Sequence, residues 1–241
     1  IRAAKNQIKE GEKNTPEKKL SILQSFKYKQ TWALMIGKFL TDGVWWFFLF
    51  WMPAYLSSVY DMPSSDPRAQ WALGVLYAIV MLSIIGGYLP TIFVEKQNMD
   101  PYDGRMKAML IFAFFPLLTL LAPSLGRYSY WFPVIIIGIA CAAHQAWSAN
   151  IFSTVGDMFP KSVTATIIGI AGMAGGVGAF LINKGSGLLF DFAEKTELSI
   201  FNFKGIESGY MIIFSICSVA YLLAWIIMKT LVPRREDVVI E

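Results

Sequence analysis

The sequence has 241 residues, 55% of them hydrophobic and 16% charged, with a mean hydropathy of +0.49, too apolar and too charge-poor for a soluble domain. Eighteen Phe, ten Tyr and eight Trp lie in long apolar blocks, which excludes a disordered chain. The net charge of +4 does not point to nucleic acid, because the basic residues are distributed as membrane topology requires.

Residues 1–30 read as a polar, basic cytoplasmic linker interrupted by Pro16, with no apolar signal-peptide core, as expected of the interior of a longer protein. A hydrocarbon layer about 30 Å thick needs roughly 20 mostly apolar helical residues. Six segments meet that need, near 31–57, 70–94, 106–124, 129–156, 162–183 and 207–231, and a cytoplasmic tail follows over 232–241. Pro53, Pro90, Pro116 and Pro133 fall in or near these spans, where neighbouring helices can re-satisfy the freed backbone groups. The stretch 184–206 reads as an outward loop carrying a short interfacial helix. Fifteen Lys and Arg flank the spans on the side of the termini and five on the other, which predicts that both ends are cytoplasmic; eight of the fifteen belong to the leading segment.

Polar groups inside a bilayer are expensive and so point to function. Lys38 and Asp42 stand four residues apart on one face of the first span, and Trp45 and Trp46 follow. This combination suits a small anionic, hydroxylated solute: Lys38 holds a carboxylate and an indole packs on the apolar side of a sugar ring. An internal Lys38–Asp42 pair that neutralises itself, with tryptophans as interface anchors, fits the same residues. The fourth span carries the chain's one histidine, His144, beside Gln145. Cys141, His144, Gln145, Ser148 and Phe152 share one face, while Trp147, Asn150 and Thr154 form a second. One of these faces is expected to line a cavity and the other to pack on a neighbouring helix; the spacing does not say which. His144 suits a proton carrier or a donor to sugar hydroxyls, and equally a packed residue with one partner.

Gly172 and Gly176 make a G-x-x-x-G in the fifth span, and Gly175 and Gly178 extend the small-residue spacing, which predicts a helix-packing surface. Charges at the ends of the spans, Arg105, Lys107, Asp157 and Lys161, suit either topology or a latch between helices. Cys141 and Cys217 read as free buried thiols. No phosphate loop, zinc-protease helix, paired-cysteine or nucleophile-elbow motif occurs, so neither catalytic residues, nor a metal, nor a cofactor is expected.

KFLTDGVWWFFLFWMP in the first span and HQAWSANIFSTVGDMFP followed by GIAGMAGGVGAF in the fourth and fifth resemble the C-terminal half of a major facilitator superfamily transporter. Within it they look most like the bacterial hexuronate transporters of the anion:cation symporter branch, over about residues 25–235. The resemblance implies an all-α membrane protein whose six helices form one half of a twelve-helix fold, the partner being a missing N-terminal six-helix half. It further implies a midplane site between the halves and proton-coupled uptake of glucuronate or galacturonate across a bacterial inner membrane by alternating access. The first and fourth helices of a half line the cavity in such proteins, so Lys38, Asp42, Trp45, Trp46, His144, Gln145, Trp147, Ser148 and Asn150 become the candidate substrate contacts. The sequence departs from the family's loop signature at GGYLP, where Pro90 replaces an aspartate. The relatives' main coupling carboxylates and substrate arginine belong to the other half. Carriage of another organic anion, an aldonate or an aromatic acid, is the alternative within transport. A six-helix membrane enzyme or assembly subunit is the alternative outside it.

Overall fold

A computed structural model describes residues 20–240 of the chain; the first nineteen residues of the linker expected over 1–30 lie outside the described residues. Six helices long and apolar enough to cross a membrane follow one another: Lys29–Tyr60, Pro67–Gln97, Pro101–Gly126, Trp131–Met158, Lys161–Lys195 and Ile206–Leu231. Their ends are set by local chemistry. The Asp66 and Asp100 carboxylates cap the second and third spans by accepting the amides of Arg68 and Tyr102, each with a proline at the first helical position. Hydrogen bonds from the Arg68 guanidinium also hold the Asp66 carboxyl below its ordinary pKa. Asp61 and Asn98, both left-handed, terminate the first and second spans.

Two spans depart from regular α-helix. In the second, helix Pro67–Val80 gives way to i→i+3 hydrogen bonds over 81–87. One turn further on, Pro90 lacks the amide that would bond the Gly86 carbonyl. In the third, Pro116 opens a seven-residue 3-10 segment, Phe115–Leu121, before a last α-turn at Ala122–Gly126.

The fifth helix does not stop near 183. It runs unbroken to Lys195, so residues 184–195 are neither a loop nor a separate interfacial helix. Ser186, Phe190 and Ala193 keep a buried stripe at helical spacing through the charged stretch, and Phe190 packs on Trp51 at 4.8 Å and Tyr210 at 4.3 Å between ring centroids. At about 1.5 Å per residue, 35 residues reach well beyond a 30 Å core. A two-stranded hairpin, β1 (Ser199–Ile200) and β2 (Phe203–Lys204), then turns the chain into the sixth span.

The first span is the hub. Against the fifth it packs backbone to backbone: a Cβ at Gly178 would meet the Phe39 carbonyl, and one at Gly43 would lie 3.2 Å from the Gly178 carbonyl oxygen. Against the sixth it packs aromatic rings, with Phe48 5.7 Å and Tyr55 5.3 Å from Phe214. On the side of the termini, ion pairs tie the ends together: Arg105–Asp157 at 2.7 Å, Lys229–Asp103 at 2.9 Å and Lys29–Glu236 at 2.8 Å. The tail joins them, because the Val238 amide donates to the Met158 carbonyl at 2.8 Å and Tyr102 donates to the Val232 carbonyl at 2.7 Å.

Candidate functional site

Among the described residues, one cluster of charged and polar side chains is buried inside the helix bundle. Lys38 Nζ lies 2.8 Å from Asp42 Oδ1, one helical turn on, with side-chain exposures of 5% and 14%. Lys38 also donates to Ser148 Oγ of the fourth span at 3.1 Å and sits 4.3 Å above the Phe152 ring. Its three ammonium protons therefore have a carboxylate, a hydroxyl and an aromatic face.

His144 lies beside this pair. Its ring stacks on the Trp45 indole, 5.1 Å between centroids and 11° from parallel, and its Nε2 is 4.0 Å from Asp42 Oδ1. The other nitrogen, Nδ1, is 2.7 Å from the Tyr221 hydroxyl, which donates to the Thr41 carbonyl at 3.2 Å. A hydroxyl has one proton to give, so this chain of bonds assigns the Nδ1 proton to His144 as donor and leaves Nε2, the nitrogen nearer Asp42, as the acceptor. A second proton arriving at Nε2 would face the carboxylate. Lys38, Asp42 and His144 are thus one electrostatic unit assembled from two spans, held from behind by Tyr221 of a third.

The remaining candidates divide. Trp45 and Ser148 belong to the cluster. Gln145 is half-buried and bonds no described side chain. Trp46 is exposed and stacks on Phe50 of its own helix, 5.4 Å away, rather than facing His144. Trp147 and Asn150 do not join the cluster either: Trp147 is fully buried edge-on against Tyr221, and Asn150 donates to the Ala146 carbonyl at 2.8 Å. The face of Cys141, His144 and Ser148 is thereby the one turned to the Lys38 pair, and the face of Trp147, Asn150 and Thr154 packs inward. Of the four glycines, Gly175 and Gly178 meet the first span, whereas Gly172 and Gly176 face open space. A Cβ on Gly175 would run into the Asp42 carboxylate, so that glycine shapes the cluster as well as the packing. Sequence reasoning missed Tyr221 and Thr41. Tyr221 has a faint signal, being a hydroxyl inside the most apolar span with Ser218 one turn before it.

Among the described residues no group of His, Cys, Asp and Glu is arranged to hold a metal ion. A sequence profile of the Major Facilitator Superfamily matches residues 2–182. The hexuronate transporters of Escherichia coli K12 and of Escherichia coli O157:H7 are each 26% identical to the chain over 178 residues, which is 72% of this chain and 40% of theirs. The chain spans less than half the length of these curated relatives. No solved structure matches it significantly.

Proposed function

The chain belongs to the Major Facilitator Superfamily, and from that premise we propose that it forms one half of a proton-coupled importer of sugar acids, glucuronate or galacturonate, working by alternating access. The observation that carries the reading is the buried Lys38–Asp42 pair with His144 Nε2 beside it. Lys38 is a buried cation whose charge partner can be exchanged: an incoming carboxylate takes the place of Asp42 at the ammonium group, and the released Asp42 carboxylate then attracts a proton to itself or to His144 Nε2. Binding of the anion and uptake of the proton favour one another, which is the requirement of symport. Trp45, held flat against His144, supplies an apolar plane for the sugar ring, and Ser148 a hydroxyl partner. The 26% identity to hexuronate transporters supports this substrate class over other organic anions.

The site is completed, in this reading, by a second six-helix bundle seated on the second and fifth spans, the two least buried of the six. The host is a bacterial inner membrane with both ends of the chain in the cytoplasm. The excess of Lys and Arg on that side supports the orientation.

Uptake of labelled galacturonate and glucuronate into proteoliposomes holding the full-length protein, with and without an inward proton gradient, tests this directly. Gradient-driven accumulation is expected, and unlabelled aldonates or aromatic acids should compete poorly. Lys38→Ala is expected to abolish binding of the acid; retained affinity for glucuronate in that variant overturns the role of Lys38.

A further inference from the structure

At the end of the bundle away from the termini, the first, third and sixth spans, the 127–130 connection and Phe203 of the hairpin border a cavity of about 410 Å3 that shares no residue with the Lys38 cluster. Its walls are tyrosines. Tyr55 and Tyr210, both buried, meet edge to face at 4.8 Å, and Tyr60 meets Tyr130 at 6.2 Å. The hydroxyls of Tyr55 and Tyr60 lie 3.3 Å apart, and a Cβ at Gly126 would collide with the Tyr60 hydroxyl, so a glycine is needed to admit it.

Two opposite charges border this cavity without meeting. Arg127 is stacked on Phe203 at 4.2 Å and gives one N–H to the Asn202 carbonyl, which leaves most of its guanidinium donors unused. Glu207, half-buried in the first turn of the sixth span, has no hydrogen bond or ion pair with any described residue. A simple anion entering here would face Glu207 and a simple cation would face Arg127. A ligand carrying both signs satisfies both.

We propose that this tyrosine-walled cavity takes a phosphoethanolamine zwitterion, the headgroup of a bilayer phospholipid, with the phosphate on Arg127 and the primary ammonium between Glu207 and the tyrosine faces. Charge-assisted bonds from guanidinium to phosphate and from ammonium to carboxylate are the strong kind, and ring faces add cation–π attraction. The volume lies within the range of small-ligand sites, roughly 300–1,000 Å3. The depth fits a headgroup too. Tyr128, Phe132, Phe192 and Phe201 are exposed around this end, as aromatic side chains are at a membrane–water interface.

Native mass spectrometry of the detergent-purified full-length protein, offered equal amounts of phosphatidylethanolamine and phosphatidylglycerol, tests the proposal. Preferential retention of phosphatidylethanolamine is expected. Glu207→Gln should erase the preference, and Arg127→Gln should weaken retention about tenfold, the effect of one lost charge-assisted contact. Soluble phosphoethanolamine, added to the unaltered protein, should displace the lipid, and this arm needs no variant to fold. If it binds while no phospholipid is retained, the zwitterion site stands and its occupant is a free solute. Equal retention of the two lipids, or a preference untouched by both substitutions, overturns the proposal.

Discussion

Neither Lys38 nor Asp42 is tolerable in a bilayer alone, and each is neutralised by the other at 2.8 Å. Removing one partner leaves a buried, unpaired charge, which costs on the order of 3–5 kcal/mol, whereas replacing both by apolar residues of similar size is close to neutral. We therefore expect Asp42→Leu to lower the melting temperature of the purified protein sharply, and the double variant Lys38→Met with Asp42→Leu to recover most of the loss while remaining inactive. A double variant less stable than the single one would mean that the pair is not coupled in this way. Tyr221→Phe removes the partner of His144 Nδ1 and the donor to the Thr41 carbonyl without removing the ring. It is expected to shift the pH dependence of uptake and leave the fold intact; an unchanged pH profile would separate His144 from proton movement. The ion pair was readable in the sequence because four residues on a helix make one face. The tyrosine was not, because it stands 77 positions away and nothing local in an apolar run says which neighbour a hydroxyl will find.

Helices show the same division between what spacing tells and what it leaves open. Six apolar runs and the prolines within them can be read directly from hydropathy, but the fifth helix runs twelve residues past its apolar run, to Lys195 rather than 183. Hydropathy falls at Lys184, while the buried stripe of Ser186, Phe190 and Ala193 continues at helical period. The glycine spacing likewise identifies residues that share a face without identifying the face that meets a partner. Gly178 abuts the Phe39 backbone and Gly172 abuts nothing. Gly178→Ala should therefore destabilise the bundle by about 1–3 kcal/mol through overpacking, and Gly172→Ala should leave it unchanged or firmer, given the poor helix propensity of glycine. Thermal unfolding of the two variants decides, and an equal loss in both would refute the packing described here.

At the scale of the molecule, the side of the termini is bound by charges and by the tail, while the opposite side is built of rings around a cavity. Residues 233–240 are strapped across the starts of the first and third spans and the end of the fourth through Glu236, Arg235 and Val238. Deleting residues 233–241 is expected to raise hydrogen exchange at those helix ends and to leave the tyrosine-lined end protected; unchanged exchange would show that the strap carries no stability. The sequence indicated this asymmetry only through its Lys and Arg count, since which acid each base would meet depends on how the ends converge.

The 3-10 segment of the third span has an angular effect as well. A 3-10 turn advances about 120° per residue against 100° in an α-helix, so seven such residues rotate everything beyond them by roughly 140°. Gly126 and Arg127 lie just past that segment, and their direction is set by it. Pro116, eleven positions earlier, thus acts as an aiming device: an uninterrupted α-helix would carry the same guanidinium around to a different compass point of the bundle.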